Sequence, residues 1–365
     1  ATGGGVHLQF VAQERASRGH RIIIISRRQP GQATCENWNG ITVHRFFSLK
    51  IAGFWQAIAN PFFIQRILKN ESIDIVHFHY ISSMMVTAFL ITKLLPGASR
   101  PKLVYTYHMT EDHLTQPWFM RPFRTVIRKL HVAFSNQMDA VISPSERLKD
   151  TIQELGITKP THVLTNPIAA EFYRNQNSEV KPNTTSTDPF VVLFAGRLNP
   201  EKNVPLLINA FAIHLKTYPD SILWIAGRGD QESKLKLLAR QLNIESKVQF
   251  IGFLKHDELA DRYRDCDVFV LPSVVETQGM VAMEAMSFAK PVIVTSEIVS
   301  AYELVDHEQS GFIVDAFRCS DLASRLTELA SHPELRIRMG LNGQKKINAF
   351  NPAVVTEKLE VIYNG

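Results

Sequence analysis

The feature that most constrains this chain is a series of short apolar runs, rich in Val and Ile, that alternates with helix-like segments along most of its 365 residues. The runs fall at 21–26, 73–79, 103–108, 140–143, 162–165, 190–195, 222–226, 247–251, 268–271 and 291–295. Most show no polar alternation. A strand that is apolar on both faces must be covered on both faces, which is the condition of parallel strands sandwiched between helices. The pattern predicts an α/β, doubly wound architecture. Beyond Asp321 the reading is helical to the end, and no repeat of solenoid length is present.

The series breaks once. Residues 175–188 are rich in Asn, Ser, Thr and Pro and nearly lack apolar side chains, which reads as an interdomain linker. The expected division is a first domain at 1–170, a linker at 171–188 and a second domain at 189–348. A terminal helix at 349–365 is expected to return to the first domain. Two domains suit this length. Two such sheets leave a cleft at the carboxyl ends of their strands, where ligands of open parallel sheets bind.

A composition of 45% hydrophobic and 21% charged residues excludes a disordered chain. Cys35, Cys266 and Cys319 are scattered without metal-like spacing, so reduced thiols and a cytoplasmic setting are expected. A net charge of +5 and a pI near 9.0 favour anionic partners. Charge alone admits nucleic acid, an acidic membrane or a phosphorylated substrate. No apolar run is long enough to span a bilayer and nothing resembles a secretory signal.

Two segments carry chemistry. In the first, Val191-Val-Leu-Phe-Ala-Gly196-Arg197-Leu-Asn-Pro-Glu201-Lys202-Asn203, a strand passes through a glycine turn into a helix. Asn203 is the expected N-cap, with Pro205 tolerated in the first turn. Arg197 and Lys202 then stand between strand end and helix start, where two cations can neutralise a diphosphate. Considered alone, two solvated basic residues explain the pair equally well. In the second, Ser273-Val-Val-Glu276-Thr277-Gln278-Gly279-Met-Val-Ala-Met-Glu284 follows an apolar strand and enters a helix near Met280. Glu276 is expected in the loop and Glu284 inside the helix. Gly279 permits close backbone approach, and the amides of the helix start suit an anion. Two glutamates at a given spacing are weak evidence by themselves.

Together the segments resemble family 4 of the retaining glycosyltransferases, in which Gly-Arg with Glu-Lys precedes a Glu-x7-Glu pair. Gly3-Gly4-Gly5-Val6-His7, Gly19-His20-Arg21, Asp74-Ile-Val-His77-Phe-His79, Tyr105-Thr-Tyr-His108, Asp139-Ala-Val-Ile-Ser-Pro-Ser145 and Asn166-Pro167 match further family segments in order. The resemblance implies the GT-B fold, two Rossmann-like domains facing a central cleft. It implies that Arg197 and Lys202 bind the donor diphosphate and stabilise its departure. Glu276 would hold the transferred sugar, Glu284 the nucleotide ribose, and Gly4 and Gly5 the phosphates. His108 would sit beside donor sugar and acceptor. Gly196, Gly227, Leu254, Thr277, Gln278 and Gly279 would complete the donor site. His77 and His79, in contrast, read as structural.

The family normally holds its nucleotide without a divalent metal, so no metal or other cofactor is expected. Asp265-Cys-Asp267 has the spacing of a metal motif but reads as a helix end. The expected route to retention is front-face attack, with the leaving phosphate taking the acceptor proton; a double displacement would need a carboxylate nucleophile, and the sequence names none. Two departures stand out. The family's glycine loop follows a first β-strand, whereas here the chain opens at Ala1. The second is Glu276-Thr277-Gln278-Gly279, where relatives carry Phe before the glycine.

The favoured donor is a UDP-sugar, with GDP-mannose next. Aromatic residues at 46–63 and in Trp118-Phe-Met-Arg121-Pro-Phe-Arg124, followed by Arg128-Lys129, fit an anionic membrane surface as well as they fit a core. The favoured acceptor is a membrane lipid or lipid-linked glycan, used at the inner face of the membrane, and no nucleic-acid partner is expected. Competing readings are a sugar-nucleotide epimerase and a non-catalytic sugar-nucleotide-binding protein on the same fold. A dinucleotide oxidoreductase fits poorly, because Gly227-Arg-Gly229-Asp-Gln-Glu232 lacks the third glycine.

Overall fold

A computed structural model describes residues 3–28, 31–46, 48–51, 54–57, 66–68, 70–79, 100–108, 122–168, 172 and 189–365. The chain divides into two compact units: Ala1–Pro167 with Pro352–Gly365, and Ile168–Asn351. Both units are α/β.

The second unit is built on six parallel strands in the order β12-β11-β10-β13-β14-β15. They are β10 (Val191–Ala195), β11 (Ile222–Ala226), β12 (Val248–Gly252), β13 (Val268–Leu271), β14 (Val292–Thr295) and β15 (Gly311–Val314). Every residue of β10, β13 and β14 is buried, which explains their unbroken apolar character. Helix α4 (Val204–His214) packs against α5 (Glu232–Gln241) and α9 (Cys319–Ser331). Helix α7 (Met280–Ser287) packs against α10 (Pro333–Ile347). Between them run α6 (His256–Asp265) and the short α8 (Ala301–Leu304). From β10 the chain moves outward through β11 to β12, then returns to place β13 on the other side of β10. The reversal makes the β10/β13 boundary a topological switch point, the place where open sheets bind ligands.

In the first unit, β1 (Ile23–Arg27) pairs in parallel with β3 (Ile41–Phe46), and β2 (Cys35–Trp38) pairs antiparallel to β3. β4 (Ser48–Ile51) and β5 (Phe54–Ala57) form an antiparallel pair. A parallel sheet runs β6-β7-β8-β9, from β6 (Ile75–Phe78) and β7 (Lys102–Thr106) to β8 (Ala140–Ser143) and β9 (Thr161–Val163). Helix α1 (Gly3–Ser17) serves two apolar clusters. Its Val11 joins Val104 and Ile142, while its neighbour Ala12 joins Ile41 and Val43. The unit also holds α2 (Arg124–Ser135) and α3 (Glu146–Glu154), whose N-cap Ser145 accepts the Leu148 amide. Helix α11 (Pro352–Asn364) packs on α1, where Arg15, Arg18 and His20 converge on Glu360.

Three local expectations need correction. β2, β4 and β5 are antiparallel members that the apolar-run pattern passed over, and it passed over the parallel strands β3 and β15 as well. Asn203 occupies the N-cap position of α4 but does not cap it. Its backbone is left-handed, at φ 48°, and its amide instead donates to Ala316 O at 2.9 Å. Gly3, Gly4 and Gly5 form the first turn of α1 rather than a loop before it. Residues 109–121 and the linker stretch 173–188 lie outside the described residues.

Candidate active site

The site in the second unit is assembled from loops at the carboxyl ends of β10, β11, β13 and β14. After β10 the chain turns at Gly196 and passes Arg197. It then closes a 3-10 turn, Pro200–Lys202, before α4. After β13 it runs through Glu276 to Gly279, whose left-handed φ of 71° starts α7 at Met280. Because β10 and β13 are sheet neighbours, the two loops meet. Val274 N donates to Glu201 O at 2.9 Å, and Val299 N, beyond β14, donates to Glu276 O at 3.0 Å. Three connections are thus fastened by their backbones.

Side chains complete the junction. Lys202 Nζ forms an ion pair with Glu276, both side chains lying largely out of solvent. Glu201 accepts from Asn199 Nδ2 at 3.3 Å and from Arg197 at 3.5 Å. Arg197 is the exposed member, with 69% of its side chain accessible, so its guanidinium faces solvent. One cation is therefore seated on a sugar-binding candidate, and the other stands outward. Such a pair can hold two charges of a diphosphate from different directions.

Glu284 sits on α7, buried, and accepts the Tyr263 hydroxyl of α6 at 2.9 Å. Burial pushes its pKa up to about 7, against the pull of the Tyr263 bond. Gln278 is also buried. Its side-chain amide lies 3.3 Å from Met283 Sδ, and its backbone carbonyl accepts from Ser300 Oγ at 3.0 Å. Thr277 lies in the same connection, half-buried.

The neighbouring turns are knit by glycines. Gly196 N donates to Ala226 O at 2.9 Å, Leu198 N to Arg228 O at 3.0 Å, and Gly227 N to Gly252 O at 2.7 Å. A Cβ on Gly227 would stand 1.8 Å from Gly196 O, an impossible contact with backbone, whereas one on Gly252 meets nothing nearer than Arg228 Nε at 3.9 Å. Gly227→Ala is therefore expected to cost about 3 kcal/mol or more, and Gly252→Ala about 1 kcal/mol for its positive φ alone. Urea denaturation of both variants checks this; equal costs would contradict the packing. Leu254, half-buried, follows Gly252 on the adjoining turn.

In the first unit, His108 lies just past β7, half-buried, with Nε2 2.9 Å from His79 Nδ1. Desolvation lowers its pKa to about 4, so the ring is neutral. Gly4 and Gly5 begin α1. Asp265 ends α6 as expected, and Asp267 is committed to Val191 N at 2.8 Å and Arg336 at 3.6 Å. Among the described residues there is no group of three or more His, Cys, Asp or Glu that could hold a metal ion. Sequence reasoning did not single out Tyr263, whose only advance signal is that a buried tyrosine needs a hydroxyl partner. It also read His79 as structural.

The doubly wound units have the GT-B fold. Comparison places the chain further. Residues 1–172 match the family model described as Glycosyltransferase Family 4, and residues 175–346 match Glycosyl transferases group 1. The chain belongs to family 4 of the glycosyltransferases. It is 29% identical over 324 residues to an uncharacterized glycosyltransferase of Methanocaldococcus jannaschii, covering 86% of this chain and 81% of that one. It is 24% identical over 345 residues to the alpha-monoglucosyldiacylglycerol synthase of Streptococcus pneumoniae, covering 86% and 75%. The Anabaena protein HepE, solved in complex with UDP and glucose, superposes with a TM-score of 0.77 at 19% identity, covering 100% of this chain and 96% of HepE.

Proposed function

We propose that this glycosyltransferase moves a hexose from a nucleoside diphosphate sugar to a lipid or lipid-linked acceptor with retention at the anomeric carbon and without a metal. The observation that carries the reading is the Lys202–Glu276 pair at the β10/β13 switch point, with Arg197 beside it. In the reaction the bond from the anomeric carbon to the diphosphate oxygen breaks. The acceptor oxygen bonds to that carbon on the same face, and its proton passes to the departing phosphate. Arg197 and Lys202 stabilise the charge that grows on the diphosphate. Glu276 holds sugar hydroxyls, Glu284 accepts from the ribose hydroxyls, and His108 of the first unit serves the acceptor side. Gly4, Gly5, Gly196, Gly227, Leu254, Thr277, Gln278 and Gly279 are assigned to donor binding.

UDP is favoured as the nucleotide, because HepE was solved with UDP, and GDP-mannose is next. The lipid reading is supported by the name of the pneumococcal relative and by the surface of α2. Phe123, Val126 and Leu130 follow helical spacing and are each more than half exposed, with Arg128 and Lys129 exposed on the same helix. Apolar and basic side chains on one helix suit an anionic membrane surface. No described helix is long and apolar enough to cross a membrane.

The test is incubation with UDP-glucose and diacylglycerol in phosphatidylglycerol vesicles containing EDTA. An α-linked glycolipid, identified by its anomeric proton coupling, is the expected product. A β-linked product would refute retention, and a strict requirement for added Mg2+ would refute the metal-free account.

A further inference from the structure

Three histidines of the first unit meet at the carboxyl ends of β6 and β7. These strands are parallel neighbours, with Phe78 opposite Tyr105, so residues just beyond each emerge at the same sheet edge. His77 is held at both nitrogens: Nδ1 lies 2.6 Å from the Tyr363 hydroxyl of α11, and Nε2 lies 2.7 Å from Thr106 Oγ1. The His79 ring stands 4.2 Å from that of His77, centre to centre. On its other side, His79 Nδ1 is 2.9 Å from His108 Nε2, with the two ring planes inclined by only 21°. His79 is buried.

A hydrogen bond between two imidazole nitrogens requires one hydrogen, supplied by one ring and accepted by the other. The tautomers of His79 and His108 are therefore interlocked. If His79 donates, a neutral His108 carries its hydrogen on Nδ1 and presents a donor there; if His79 accepts, His108 presents Nδ1 as an acceptor. An acceptor hydroxyl distinguishes these two states, since one accepts a hydrogen bond from it while its proton is on the way to the departing phosphate, and the other can only donate to its oxygen. We propose that His79 is a positioning residue that fixes the orientation and tautomer of His108, itself braced from behind by His77 and the Tyr363 hydroxyl of the terminal helix. The proposal rests on the assignment of His108 to the acceptor side of the reaction.

The fixed His77 explains why such a brace can work. With both its nitrogens bonded, its ring cannot turn, and His79 is confined between it and His108. A histidine that merely filled space would need no such relay and would leave the His108 tautomer indifferent to its removal.

The experiment uses the full chain with 15N-labelled histidine side chains and long-range 1H–15N spectra, the His108 signals being identified by their loss in His108→Ala. In the wild-type protein His108 is expected to show the two widely separated nitrogen shifts of a single neutral tautomer. In His79→Phe those shifts should converge towards the exchange average, and in His79→Asn, which keeps a hydrogen-bonding group, the separation should return in part. Should His79→Phe not fold, His79→Ala carries the same test. A His108 tautomer unchanged in a folded His79→Phe or His79→Ala protein would overturn the proposal.

Turnover separates this from the underlying assignment. UDP release is followed from UDP-glucose, or GDP release from GDP-mannose if that is the donor used. His108→Ala should lower kcat at least tenfold, and His79→Phe should do so with unchanged nucleotide affinity. The double variant should be no slower than His108→Ala alone. Unchanged turnover in His108→Ala would remove the catalytic assignment while leaving the spectra to decide the positioning.

Discussion

Lys202→Ala is expected to lower turnover by about two to three orders of magnitude while weakening nucleoside diphosphate binding by less than about tenfold. Charge accumulates on the diphosphate as the glycosidic bond breaks, so a cation aimed at it gains strength in the transition state more than in the ground state. The ion pair with Glu276 sharpens the expectation. Lys202 is held in place by Glu276, so its ammonium is positioned before charge develops on the diphosphate. Removing Lys202 also leaves the Glu276 carboxylate, three-quarters shielded, without that cation. Lys202→Ala combined with Glu276→Gln should therefore recover stability relative to Lys202→Ala, yet not activity. Arg197→Ala should follow the same pattern, with a smaller stability effect because its side chain faces solvent. Single-turnover kinetics alongside calorimetric titration with UDP measures both quantities. Equal losses in kcat and affinity would remove the leaving-group role.

Glu284→Gln is expected to trade nucleotide affinity for stability. The folded-state pKa of Glu284, about 7, lies above the ordinary carboxyl value of 4.5. A carboxyl raised in this way contributes fully below pH 4.5, where it is protonated in both states. That contribution is lost as pH rises to 7 and stays lost above it. The interval corresponds to about 3 kcal/mol. Relative to wild type, the Gln variant should thus gain about that much between pH 4.5 and pH 8, with the Tyr263 hydroxyl still accommodated. His77, His108 and His214, whose pKa values desolvation lowers, impose the opposite slope on both proteins below pH 6.5 and cancel in the comparison. At the same time the variant should bind UDP about ten- to a hundredfold more weakly, since hydrogen bonds to a charged acceptor are the stronger kind. UDP binding to the wild-type protein should strengthen as pH rises through 7 and release a proton. Urea unfolding at several pH values and UDP titrations check each part. A stability difference independent of pH, or unchanged affinity, would contradict the assignment.

Much of this arrangement was legible in the linear sequence because parallel strands declare themselves by being apolar throughout. β8, β11 and β13 were located to the residue, and α7 begins at the Met280 expected from Gly279. Antiparallel edge elements were not, and the parallel strands β3 and β15 were missed as well. β2, Cys-Glu-Asn-Trp, is polar and exposed, and no apolar pattern marks it. The signal that was present is Asn39-Gly40, both at positive φ, a two-residue hairpin turn joining β2 to β3. Site pairings were harder to read. Lys202 and Glu276 are 74 residues apart, and two further strands intervene before β13 returns beside β10. Only the sheet order makes them neighbours. Tyr263 and Glu284 come from different helices, so local periodicity says nothing of their contact. The His79–His108 bond joins separate strands across a sheet edge, and each histidine in isolation resembles an ordinary buried one.

The most direct test of the central claim is thermal unfolding in EDTA with UDP, GDP and ADP in turn. A ligand that binds only the folded state at a hundred times its Kd stabilises it by about 2.7 kcal/mol. One diphosphate, UDP first, should raise Tm by a few degrees in the wild-type protein, and by less in Glu284→Gln. If no diphosphate shifts Tm without a metal, the second unit does not hold a nucleotide as described, and the account of the site fails with it.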